Sequence, residues 1–172
     1  MKQEDKIVDG FRFMPPSLRA WIGQNIPEAP FSGQIPWTPF KKPMRDTTFS
    51  LMTSAGISMK HDPPFDMGRE KREPTWGDPG YREIRRDATE ADLDVNHLHV
   101  NTDYIKRDVN VILPIHRFAE MEKEGIIGRL APTCYSYYGF QMNPKALLEE
   151  SMPHVASRMR EEGVEAVLLT PA

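Results

Sequence analysis

The run His97-Leu98-His99 places two imidazoles two residues apart. On an extended strand, positions i and i+2 share a face, so this spacing would present both rings together. Imidazole titrates near neutrality, which suits the pair to acid–base work or substrate binding. A metal reading uses the same two residues. With His61, Asp62, Asp66, Asp103 or Asp108 folded close, two histidines and a carboxylate would make a transition-metal site. Structural hydrogen bonding is the third role open to the rings. Asp108 and Asn110 share a face in Arg107-Asp108-Val109-Asn110-Val111. There a carboxylate and an amide would orient a histidine or hold an ammonium group, and a turn cap accounts for the same pair. Arg82, in GDPGYREI, has the forked donor geometry that holds a carboxylate bidentately, or is an exposed loop arginine without that duty. Thr53, Ser54 and Gly56 close an apolar run, where backbone N–H groups can receive an anion or simply form a tight turn. Cys134 is the single cysteine. It excludes an internal disulfide and a cysteine-only zinc site, and within APTCYSYYGF it reads as a small buried thiol. Tyr135, Tyr137, Tyr138 and Phe140 around Gly139 line a pocket, pack an interface or simply fill a core.

These residues need elements to position them. Thr47 to Ser54 is β-branched and apolar and runs into Ala55-Gly56, which predicts a buried strand entering a turn. Leu93 to Val100 and Val109 to Leu113 are further short strand candidates. Between them and the first strand, Met59 to Arg86 is polar and without periodicity, and predicts a long functional loop. From there to Asp87, the acidic Glu70, Glu73, Glu83 and Asp87 interleave with Lys71-Arg72, Arg82 and Arg85-Arg86, which predicts a solvated mixed surface. Pro114 opens a helix carrying Ile115, Phe118 and Met121 and stopping at Gly125. Leu148, Met152, Val155 and Met159 recur at helical spacing over Lys145 to Glu162, with Gly163 as the cap and Pro153 as a kink or break. Val164 to Thr170 (VEAVLLT) is almost continuously apolar, the mark of a parallel strand covered on both faces.

This order predicts an α/β fold, a Rossmann-like open and mainly parallel sheet, incomplete in this chain. Binding sites in such sheets lie beyond the carboxyl ends of the strands. Ahead of the sheet, prolines recur between Pro15 and Pro43 with Trp21, Phe31, Ile35, Trp37 and Phe40 among them. Proline opposes long helices and central strands there, and only Pro16 to Asn25 suits a short helix. Residues 1–45 therefore read as a proline-rich N-terminal arm, and residues 46–172 as the α/β domain.

Composition bounds the function. The 172 residues are 39% hydrophobic and 27% charged, enough for a core and too apolar for a disordered chain. Lys and Arg total 22 against 25 Asp and Glu, a net charge of −3, so nucleic acid is not an expected partner. No apolar run approaches the roughly 20 residues that cross a bilayer, so no membrane partner is expected. MKQEDKIVDG lacks the basic-then-apolar layout of a secretory signal, which makes the cytoplasm the expected compartment.

Several stretches are familiar in combination: SGQIPWTPFKKP, TTFSLMTSAGIS followed by DPPFD, GDPGYREI, VNHLHVNTDYIKRDVNVILPIHRFAEMEKEGIIG and REEGVEAVLLTP. From Phe31 to Thr170 the chain resembles the selenoprotein B family, namely component B of glycine, sarcosine and betaine reductases and the smaller subunit of D-proline reductase. The resemblance implies reductive cleavage of a carbon–nitrogen bond in an amino acid or betaine, by attack of a selenolate or thiolate on carbon. It also implies a pyruvoyl-bearing partner subunit that activates substrates with a free amine. The family's redox motif follows the strand that ends in LLTP, and in this sequence Leu168-Leu169-Thr170-Pro171 is followed by Ala172. The expectation is a split enzyme, a hetero-oligomer in which a second subunit completes the sheet and supplies the redox half. No cofactor is expected in this chain, which is expected to be inactive alone. Its small-molecule substrate would be an amine or amino-acid-like compound. His97, His99 and Asp108 would be the catalytic residues, with Thr53, Ser54, Gly56, Arg82 and Asn110 binding substrate. The runner-up is a metal- or acid–base-dependent lyase or hydrolase on the same scaffold, using His97 and His99. A non-catalytic structural subunit is the third reading.

Overall fold

A computed structural model describes residues 9–25, 38–98 and 100–172. The chain divides into two compact units, Met1–Thr38 and Pro39–Ala172. In the first, the helix α1 (Pro16–Asn25) opens on proline, as its sequence predicts. Most of the proline-rich arm, including Phe31, Ile35 and Trp37, lies outside the described residues, as does His99.

The second unit is α/β, built on a five-stranded mixed sheet of mostly parallel strands. Its axis is β1 (Thr48–Thr53), buried along almost its whole length as an apolar run demands. On one side β1 pairs in parallel first with β5 (Arg129–Leu130) and then with β6 (Thr133–Tyr137). On the other side it pairs in parallel with β7 (Ala166–Thr170) over Phe49 to Thr53. An antiparallel strand, β3 (Tyr81–Arg85), closes the far edge against β6. A small antiparallel ribbon joins β2 (Ile57–Met59) to β4 (Leu93–Val95).

Helices cover both faces. One face of the sheet sends Leu51, Ile84, Leu130 and Cys134 into the larger core. There they meet Ile105 of α3 (Thr102–Arg107), Ile115 of α4 (Ile115–Lys123), and Val109 and Leu113 between them. The other face packs Met52 and Tyr135 on Val155 and Met159 of α5 (Met152–Glu161). The kink expected at Pro153 is a π-helical turn, Leu147–Ser151, directly before α5. Proline lacks an N–H and crowds the carbonyl four residues back; the wider turn, with Met152 N–H donating to Leu147 O, accommodates both.

Four expectations are corrected. The span Leu93 to Val100 is a strand only as far as Val95, so His97 is not on a strand, and His99 lies outside the described residues. Val109–Val111 is a 3-10 turn, not a strand, because Asp108 caps it. The presumed long loop from Met59 to Arg86 contains the helix α2 (Met67–Arg72), capped by Asp66, and the strand β3. Finally, β7 is parallel but is not covered: Val167, Leu168 and Leu169 are 40%, 38% and 66% exposed.

Candidate active site at the carboxyl ends of the parallel strands

β1, β6 and β7 end together, and the turn after β1 ties the three ends. Ser54 N–H donates to Thr170 O at 3.2 Å, and Gly139 N–H donates to Ser54 O at 2.9 Å. Ser54 Oγ accepts from the Ala172 N–H at 2.9 Å. Gly56 N–H donates to Tyr137 O at 3.0 Å, while Ala55 N–H donates to Thr53 Oγ1 at 3.2 Å. The amides of residues 54, 55 and 56 are thus all engaged within the fold, so this turn joins strands and holds no row of open donors for an anion. Glycine is required twice. Gly56 has φ +63°, and a Cβ there would lie 2.6 Å from Asn96 O and 2.9 Å from the Tyr138 ring. A Cβ on Gly139 would lie 2.9 Å from that of Ser54.

The same close approach places His97. Asn96 N–H donates to Gly56 O at 2.9 Å, and Asn96 Nδ2 donates to Ser58 Oγ at 3.0 Å. The half-buried His97 ring then lies against Tyr138, with centroids 4.7 Å apart and planes at 48°. Tyr138 is fully buried, and its Oη donates to Glu70 Oε2 at 2.6 Å. Burial and the adjacent Glu70 push the Tyr138 hydroxyl well above its ordinary range, so it stays a phenol and a donor. Glu70 itself is 3% exposed, the only ionisable acidic or basic side chain buried to that degree among the described residues. Its sequence context, a run of alternating charges, predicts a solvated position. The structure overturns that, because α2 folds back over the sheet end and turns Glu70 inward. No periodicity in MGREKR signals this; only the neighbouring aromatic cluster hints at a buried polar partner.

Arg82 shares a row with Ser136, Thr53 and Thr170 across the sheet. Its guanidinium is already occupied. Nε and Nη2 donate to the carbonyls of Pro63 and Pro64 at 2.6 and 2.9 Å, Nη1 donates to Tyr81 O at 2.8 Å, and Asp78 lies 3.7 Å away. The guanidinium also sits 4.2 Å from the centre of the Phe65 ring. Phe65 in turn packs on Tyr138 at 6.2 Å, so Arg82 pins the Asp62–Asp66 segment that roofs the Tyr138–Glu70 pair.

Asp108 and Asn110 do come together, and the histidine they orient is His116. Asp108 Oδ1 accepts from Asn110 N and Nδ2 at 2.9 and 2.7 Å, and these bonds hold the Asp108 carboxyl below its usual range. Asn110 Oδ1 accepts from the His116 and Arg117 backbone N–H groups at 3.1 and 3.4 Å, capping α4 in place of Pro114. Asn110 Nδ2 therefore donates to His116 Nδ1 at 3.1 Å, which leaves Nε2–H to donate to Ala88 O at 3.0 Å. This is a cap network. Among the described residues, no group of three His, Cys, Asp or Glu side chains is gathered as a metal-ligand set. Cys134 is fully buried in mid-strand, and desolvation pushes its thiol up to about 12.

Among the described residues no helix is long and apolar enough to cross a membrane. The family model for glycine/sarcosine/betaine reductase selenoprotein B matches residues 27–172. The chain is 37% identical over 134 residues to the D-proline reductase subunit gamma of Acetoanaerobium sticklandii, covering 78% of this chain and 52% of that one. It is 30% identical over 146 residues to the sarcosine reductase complex component B subunit beta of Peptoclostridium acidaminophilum, covering 82% and 31%. It is 28% identical over 142 residues to the glycine reductase complex component B subunit gamma of Carboxydothermus hydrogenoformans, covering 82% and 32%. The chain thus spans about half the length of the first relative and about a third of the other two. No solved structure matches it. On the extent of these matches, the chain belongs to the glycine/sarcosine/betaine reductase selenoprotein B family.

Proposed function

We propose that this chain is a subunit of a heteromeric reductase that cleaves a carbon–nitrogen bond in a small amine or amino-acid substrate, at a site shared with a partner chain. The observation that carries the reading is a separation of parts. Polar groups converge at the carboxyl ends of β1, β6 and β7, while the one thiol of the sequence is sealed inside the sheet with its pKa pushed up to about 12. A thiolate nucleophile from Cys134 would need both exposure and a lowered pKa, and it has neither. In this reading the redox group is not Cys134 but a selenol or thiol of the partner, which supplies the nucleophile and the electrons. In this reading the sheet is one half of a larger Rossmann-like sheet, preceded by the proline-rich arm.

This chain contributes positioning and a proton. When the carbon–nitrogen bond breaks, the nitrogen leaves with the electron pair and must be protonated. We assign that task to His97, whose ring lies against Tyr138 at the sheet end, with Glu70 bonded behind it. Thr53, Ser54 and Gly56 hold the strand ends in register beneath it. Asp108, Asn110 and Arg82 act at one remove, by capping α4 and pinning the loop over Tyr138.

The test is turnover of the assembled complex carrying His97→Gln. General acid catalysis supplies about 10²–10⁴-fold, so a loss of at least about 100-fold with unchanged assembly is expected. An unimpaired His97→Gln complex would make this chain a scaffold and overturn the assignment.

A further inference from the structure

Glu70 is buried and has no task in the chemistry assigned above, yet its bonds lead to His97. The segment that carries His97 lies outside regular structure, since β4 ends at Val95 and α3 begins at Thr102. Asn96 is fastened by its backbone to Gly56 O and by its side chain to Ser58 Oγ. On the other side of His97, the Leu98 N–H donates to Tyr138 Oη, the oxygen whose own proton goes to Glu70 Oε2. His97 therefore lies between two anchors, and its ring rests on the side chain that makes the second. A phenol by itself is a poor anchor. Its O–H can turn, and the oxygen presents a lone pair to Leu98 only while the proton points elsewhere. Glu70 holds that proton, at 2.6 Å. Its own position is set by α2, where Asp66 Oδ1 accepts from the Arg69 N–H at 2.8 Å and the Arg69 guanidinium lies 4.5 Å from the centre of the Trp76 ring.

Stability does not account for the pair. Two apolar side chains of the same shape would fill this space at equal or lower free energy, because burying a carboxylate and a hydroxyl costs desolvation. An apolar pair cannot supply a lone pair directed at Leu98. We infer that Glu70 is a positioning residue, which acts through the Tyr138 hydroxyl on the Leu98 amide and so fixes the His97 ring at the strand ends. What His97 does there rests on the shared-site reading above, whereas the fastening is a property of this chain alone.

The experiment compares Tyr138→Phe, Glu70→Leu, Glu70→Gln and the double variant Tyr138→Phe with Glu70→Leu in the assembled complex, reading hydrogen exchange of the Leu98 amide, steady-state kinetics and the thermal midpoint. Loss of one hydrogen bond should speed exchange at Leu98 about fivefold or more in Tyr138→Phe and in Glu70→Leu. Both should lower kcat about tenfold or more with KM changed less than about threefold, because a displaced ring loses its proton-transfer geometry. Glu70→Gln, whose amide oxygen still accepts from the phenol, should bring exchange and kcat to within about threefold of the unsubstituted complex. The double variant separates positioning from stability. It leaves no buried group unpaired, so its thermal midpoint should move back toward the unsubstituted value while Leu98 exchange and kcat stay where the single variants put them. In a His97→Gln background, Tyr138→Phe should lower kcat no further, because it acts through His97. Unchanged Leu98 exchange in either single variant, no rescue by Glu70→Gln, kcat that recovers together with the midpoint, or a loss that adds to that of His97→Gln overturns the inference. If His97→Gln turns over normally while Leu98 exchange responds as expected, the fastening stands and the shared-site reading falls instead.

Discussion

A buried carboxylate is a costly residue unless something holds it, and Glu70 is held by the Tyr138 hydroxyl at 2.6 Å. Removing one partner of such a pair is worse than removing both. Tyr138→Phe should therefore lower unfolding free energy by about 1–3 kcal/mol, while Tyr138→Phe with Glu70→Leu should recover part of that loss. Chemical denaturation of the two single variants and the double variant measures it. Additive losses would mean that the two groups do not act as a pair. Cys134 makes a second prediction at this scale. With its pKa pushed up to about 12 and the side chain fully buried, the thiol should react with a disulfide reagent at pH 8 at least about 10³-fold more slowly in the folded chain than in urea. Fast native labelling would show that the sheet interior opens, and would return Cys134 to the list of candidate nucleophiles.

Elements of this fold are fastened by carboxylates. Glu90 accepts from the Val109 N–H at 2.9 Å, Asp92 accepts from Thr89 N and Oγ1, and Asp108 accepts from Asn110. These bonds hold all three carboxyls below their ordinary values. A depressed pKa adds stability above the unfolded value, near 4, and the contribution disappears as pH falls through the folded values. Urea midpoints should thus stay level from pH 7 to about 5 and decline below about 4. Asp108→Asn should flatten part of that decline, and a midpoint independent of pH down to 3 would contradict the assignment. The same elements mark what could be read in advance. The spacing of Ile115, Phe118 and Met121, the glycines at 125 and 163, and the apolar runs of β1 and β7 carry their periodicity or caps in the chain itself. By contrast, β3 and β6 hold Arg82, Glu83, Ser136 and three tyrosines, and become strands only because they pair with each other and with β1. The cap role of Asp108 and Asn110 was among the readings open to the sequence, whereas Glu70 was hidden. Its burial depends on where a six-residue helix lands, which no local pattern records.

Taken whole, the molecule has a sheet whose two edges are in different states, and this has a consequence for stability that separates the sides of one register position. Leu51 and Leu168 are partners across β1 and β7, yet Leu51 is fully buried while Leu168 is 38% exposed and Leu169, next along β7, is 66% exposed. Leu51→Ala removes side-chain volume from the packed larger core and should cost about 2–5 kcal/mol. Leu169→Lys alters a side chain that the isolated fold leaves in solvent and should change stability by no more than about 0.5 kcal/mol. Thermal or urea unfolding of the isolated chain compares the two. If Leu169→Lys proved as damaging as the core substitution, β7 would already be covered within this chain. If instead Leu169→Lys is silent, the apolar side chain at this position does not serve the folding of this chain.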